Sequence, residues 1–133
     1  MKAKFISHPD FSNLEPLCVY HKERGSDGKL IFDRHNEEEY ILKNHPKELY
    51  NKHIIFRKKA SFDSFKRATL KITADDYYKL YINGKFVTEG PSPGYHNNYY
   101  YNEIDVTDFL TEGENTFAVH TYYQGFINRV WVS

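Results

Sequence analysis

Tyr77-Tyr78-Lys79-Leu80-Tyr81-Ile82-Asn83-Gly84-Lys85-Phe86-Val87-Thr88-Glu89 decides the fold class. Two β-rich runs flank an Asn-Gly pair, the strongest short-range hairpin signal, because both central turn positions need positive φ and these residues tolerate it. Just upstream, Arg67-Ala68-Thr69-Leu70-Lys71-Ile72-Thr73-Ala74 alternates polar with apolar. That is the period of a strand with one wet face, so Ala68, Leu70, Ile72 and Ala74 are expected to face a core. Further upstream, Ile54-Ile55-Phe56-Arg57-Lys58-Lys59-Ala60 reads as a first strand.

Downstream, the irregular Gly90-Pro91-Ser92-Pro93-Gly94 loop precedes a strand expected over Tyr99-Tyr100-Tyr101-Asn102-Glu103-Ile104-Asp105-Val106. A turn segment over 107–115 then leads into Thr116-Phe117-Ala118-Val119-His120-Thr121-Tyr122-Tyr123, which alternates again. Short strands separated by Gly, Asp, Asn and Pro at this spacing are typical of all-β sandwiches and barrels. The last run, Phe126 to Ser133, has no turn signal after it, so the β-fold is expected to be cut before its final strand or strands. An edge carrying Val130, Trp131 and Val132 is then expected to favour self-association.

The first 52 residues read differently. His8-Pro9, Glu15-Pro16, Gly25-Ser26-Asp27-Gly28 and His45-Pro46 punctuate a polar stretch, which predicts an extended, loop-rich arm over 1–52 packed on a sandwich over 53–133. A helical turn at Asn36 to Leu42 is the one weak exception.

Composition narrows the function classes. Hydrophobic residues at 40% and charged residues at 27% describe a folded soluble domain. Lys plus Arg and Asp plus Glu each total 18, so no electrostatic footprint marks a nucleic-acid or membrane partner. The single Cys18 rules out a disulfide framework within the chain and a thiolate metal cluster. No apolar run of signal-peptide or membrane-spanning length occurs, so a cytoplasmic location is expected. Twelve Tyr and ten Phe lean toward strands and toward flat faces with polar tips that suit sugars.

The stretch Ala74-Asp75-Asp76-Tyr77-Tyr78-Lys79-Leu80-Tyr81-Ile82-Asn83-Gly84, continuing to Gly90-Pro91, resembles the N-terminal, galactose-binding-like β-sandwich domain of bacterial α-L-rhamnosidases, glycoside hydrolase family 78. Ile104-Asp105-Val106-Thr107-Asp108-Phe109-Leu110 with Gly113-Glu114-Asn115, and the Phe56-Arg57-Lys58 strand start, agree with it. The resemblance spans residues 53 to 133 and implies a jelly roll. It also implies a catalytic (α/α)-barrel elsewhere in the parent chain, where the acid and base carboxylates reside, and an accessory role of binding rhamnose or lining the cleft. An independent carbohydrate-binding module for rhamnose-type sugars is the alternative, and an enzyme in its own right a third.

Glycoside hydrolysis needs two carboxyl groups across a cleft. Asp75 and Asp76 are adjacent and read first as turn formers, then as calcium candidates; Glu37, Glu38 and Glu39 read as a solvated charge run. No catalytic residue and no cofactor, calcium aside, is expected. The seven His residues show no zinc-site spacing, and His120 reads as a hydrogen-bonded strand residue. Sugar contact is placed on Pro93-Gly94-Tyr95-His96-Asn97-Asn98-Tyr99, where aromatic faces meet amide and imidazole groups. The candidates are Tyr95, His96, Asn98 and Tyr99, with Tyr123.

Overall fold

The computed structural model describes residues 4–12, 47–92 and 99–125. The helical turn expected near 36–42 and the last run from 126 lie outside these residues. By their backbone contacts the residues fall into two compact units, 51–123 and the combination of 1–50 with 124–133.

In the latter unit, Pro9–Phe11 forms one 3-10 turn. Proline fits its first position, and the Asp10 N–H is met by His8 Nδ1 at 3.3 Å. A second such turn spans Lys47–Leu49 and buries Leu49. Gly125 has φ +93°, and a Cβ there would lie 2.5 Å from Tyr50 Cδ1, so only glycine fits.

Unit 51–123 is all antiparallel β-structure. Its strands are β1 (Lys52–Phe62), β2 (Thr69–Ile72), β3 (Tyr77–Ile82), β4 (Lys85–Gly90), β5 (Asn102–Asp105) and β6 (Gly113–Tyr123), with a 3-10 turn at Thr107–Phe109. No α-helix occurs among the described residues. The strands form a four-stranded sheet in the order β1-β6-β3-β4 and a two-stranded sheet β2-β5.

The layers meet through alternation. On β3, Tyr78, Leu80 and Ile82 are buried while Tyr77 and Lys79 are exposed, the period of two that a half-buried strand dictates. Packed on those three are Ala68, Leu70, Ile72 and Ala74, the four residues read as core-facing, together with Ile104 of β5 and Val119 of β6. Side chains from both sheets therefore share one core, which makes the unit a two-layer sandwich. Burying Leu80 and Ile82 fully stabilises it by about 1.5–3 kcal/mol each.

The expected hairpin is present. Asn83 at φ 50° and Gly84 at φ 78° give the double positive φ of a type I′ turn joining β3 to β4. Asn83 also ties this turn to β6, since its Oδ1 accepts the Thr116 N–H at 2.9 Å and its Nδ2 donates to Asn115 Oδ1 at 2.8 Å. Asn115 is fully buried, and its Nδ2 donates to the Thr111 and Gly113 carbonyls at 2.7 and 3.0 Å.

Two boundaries differ from the sequence reading. Tyr99, Tyr100 and Tyr101 precede β5 rather than forming its start, because β2 ends at Ile72, whose partner is Asn102. Conversely, Gly113, Glu114 and Asn115 belong to β6, not to a turn, because β1 is long enough to pair with them through Phe62, Ser61 and Ala60.

Below β5, Asp105 accepts hydrogen bonds from the Thr107 hydroxyl and, at 3.1 Å, from its N–H. Together with Arg67 at 3.1 Å, these hold its carboxyl below the ordinary carboxylate range. A depressed folded pKa stabilises above the ordinary carboxylate pKa, and the contribution disappears as pH falls through the depressed value. Asp105→Asn is therefore expected to lower stability in urea unfolding at pH 7, with the difference from the parent chain shrinking as the pH is lowered to about 3.

Candidate functional site

Tyr99 is the loop candidate that the described residues include. Its hydroxyl donates to Asp75 Oδ2 at 3.1 Å, and next to it Thr73 Oγ1 donates to the Tyr100 carbonyl at 2.6 Å. Side-chain bonds, not a strand ladder, thus hold the tyrosine run against the turn that follows β2. Asp75 and Tyr99, both singled out in the sequence, are brought together. Tyr123 ends β6, with Lys52 as its cross-strand partner. Tyr95, His96 and Asn98 lie outside the described residues. No group of three or more His, Cys, Asp or Glu side chains is assembled for a metal ion among the described residues.

A second constellation forms on the outer face of the four-stranded sheet. Cross-strand pairing sets His53 of β1 opposite Tyr122 of β6, Tyr122 opposite Tyr77 of β3, and His120 opposite Lys79. Lys79 faces Glu89 of β4 in turn. Alternation puts all these side chains on the face away from Tyr78 and Leu80. They enclose, with Gly90 and Pro91, a half-open pocket of about 490 Å³.

The pocket walls are held in place. The Tyr122 ring stacks on His53 with centroids 4.8 Å apart and planes 26° from parallel. The Tyr122 hydroxyl donates to Asn51 Oδ1. His53 Nδ1 lies 3.0 Å from His120 Nε2, so the two imidazoles share a hydrogen bond in which one nitrogen donates and the other accepts. At the other end, a Cβ on Gly90 would lie 2.5 Å from Asn102 Oδ1, which already accepts from the Tyr78 hydroxyl at 2.8 Å. Glycine at 90 lets β4 pass this buried bond and sets the positions of Glu89 and Pro91. Burial raises the Tyr78 pKa, which keeps its hydroxyl protonated as that donor.

Sequence spacing could not reveal the histidine pair, since 67 residues separate its members. The legible signal was weaker: two histidines, each in a predicted or adjoining strand segment, in runs that also carry tyrosine. The pocket holds one carboxylate, Glu89, whereas glycoside hydrolysis takes two.

The geometry defines a class first: an antiparallel β-sandwich domain with an aromatic and histidine-lined pocket on the outer face of its larger sheet. Within that class, the chain belongs to the α-L-rhamnosidase N-terminal domain family, whose model matches residues 63–129. A crystal structure of a glycoside hydrolase family 78 rhamnosidase from Bacillus sp. GL1 is 32% identical to it, with a TM-score of 0.52 over 56% of this chain. The matched part is 8% of that enzyme's chain, so the sequence spans a small fraction of the length of the solved relative. No curated protein matches. Among the described residues, no helix is long and apolar enough to cross a membrane.

Proposed function

We propose that this chain is a non-catalytic accessory domain of an α-L-rhamnosidase that positions carbohydrate, while the acid and base carboxylates sit in an (α/α)-barrel elsewhere in the same parent chain. The observation that carries this reading is the family match over residues 63–129. The solved relative supports it, being a rhamnosidase of which the matched part is 8%. Chemistry supports it too, because a pocket with Glu89 as its one carboxylate lacks the pair that protonates the leaving oxygen and attacks or activates water.

The alternative reading, a carbohydrate-binding module that acts by itself, has the preorganised pocket in its favour. Both readings agree on catalysis. Incubated with an aryl α-L-rhamnoside, the purified 133-residue chain is expected to release no phenol above the buffer rate. Turnover that purifies with the chain and saturates with substrate would overturn the non-catalytic assignment.

A further inference from the structure

We infer that the outer-face pocket bounded by His53, Tyr77, Lys79, Glu89, His120 and Tyr122 binds one neutral pyranose unit through its ring face and two adjacent hydroxyls. This rests on the carbohydrate reading above but moves the contact from the tyrosine loop to the sheet.

Size and rigidity come first. A volume of about 490 Å³ lies inside the range of about 300–1,000 Å³ typical of small-ligand sites. The Tyr122–His53 stack and the His53–His120 hydrogen bond fix three side chains before any ligand arrives, so little rotamer freedom remains to be lost on binding.

The chemistry of the walls selects the ligand class. Tyr77, with 38% of its surface exposed, offers a ring face to the C–H surface of a sugar. Lys79 Nζ and Glu89 Oε2 stand 3.9 Å apart, beyond hydrogen-bonding distance, so the ammonium donors and carboxylate acceptors both remain able to serve hydroxyls. Adjacent hydroxyls on a pyranose present a donor and an acceptor side by side, which this pair matches.

Other ligand classes fit less well. An anion meets Glu89 as well as Lys79, and the formal net charge of the chain is zero. A metal ion finds two imidazole nitrogens already bonded to each other, with no group of three ligating side chains among the described residues. A purely apolar ligand would strip water from the Lys79–Glu89 ion pair without offering a hydrogen bond in return.

The test is calorimetric titration of the 133-residue chain with methyl α-L-rhamnoside, D-galactose and D-glucose, repeated on three variants. Tyr77→Ala is expected to weaken binding of the preferred sugar about tenfold, the loss of one aromatic stacking contact. Tyr77→Phe, which keeps the ring, is expected to bind as the parent chain does, and Glu89→Gln to bind more weakly. Unchanged circular dichroism in each variant separates lost binding from lost fold. Sugar binding that Tyr77→Ala and Glu89→Gln both leave intact would overturn the pocket assignment and leave the accessory reading standing. No binding of any of the three sugars would overturn both.

Discussion

Leu80→Ala is expected to lower the stability of the sandwich by about 3–4 kcal/mol, within the range for deleting a fully buried leucine side chain. Leu80 is 0% exposed at the middle of β3, with Tyr78 and Ile82 beside it in the core and Val119 opposite it on β6. The lost methyl groups forfeit their transfer energy and leave a cavity that a sheet paired on both sides of β3 cannot readily close. Against a typical domain stability of about 5–15 kcal/mol this is a large fraction, and urea unfolding followed by far-ultraviolet circular dichroism reads it directly. Ile55→Ala provides the contrast. Ile55 is 64% exposed on the outer face, and its truncation is expected to change stability by less than about 0.5 kcal/mol. Equal losses at the two positions would contradict the assignment of Leu80 to the core and Ile55 to the outer face.

Asn115→Leu is the second large effect, expected at about 3 kcal/mol although leucine keeps the number and branching of the side chain's heavy atoms. The Asn115 side chain accepts from the Thr111 N–H at 2.9 Å and from Asn83 Nδ2 at 2.8 Å, besides donating to two carbonyls. Leucine satisfies none of these groups. Water reaches Thr111, Gly113 and Asn83, which are exposed, and so limits the loss to less than four full desolvation penalties. Because Asn83 Nδ2 donates to the side-chain amide oxygen of Asn115, substitutions at the two positions are expected to be non-additive. A double-mutant cycle of Asn83→Ala with Asn115→Ala should show coupling of about 0.5–3 kcal/mol. Simple additivity would contradict the network.

These two residues also show how unevenly the sequence reveals the fold. The hairpin that carries Leu80 was legible from the Asn83-Gly84 turn, whereas the inward face of Leu80 comes from the structure, where the β3–β4 register shifts between Leu80 and Tyr81. Asn115 read as a turn former. Nothing local says that β1 extends from Lys52 to Phe62 and so recruits residues 113–115 into β6. That is a long-range pairing, and the polar run Arg57-Lys58-Lys59 conceals its length by hiding the alternation. The tyrosine run misled in the opposite direction. Tyr99, Tyr100 and Tyr101 have strong strand preference, yet β2 offers no partner past Ile72, and Asp75 and Thr73 hold the run instead.

The site was less legible than the fold for the same reason. The aromatic and amide residues of 95–99 cluster in sequence, but the bond of Tyr99 to Asp75 has no local sequence signal. The outer-face pocket is built from four strands, one to three residues from each, so no single contiguous motif marks it. Only the register of β1, β6, β3 and β4 brings His53, His120, Tyr77, Lys79 and Glu89 together.

Whether this domain holds carbohydrate is read by a nitrogen-15 shift titration of the 133-residue chain with L-rhamnose. Saturable shifts are expected on a subset of amides that includes the β1, β6 and β3 residues around the pocket. A spectrum that stays unchanged up to saturating sugar would contradict the carbohydrate reading.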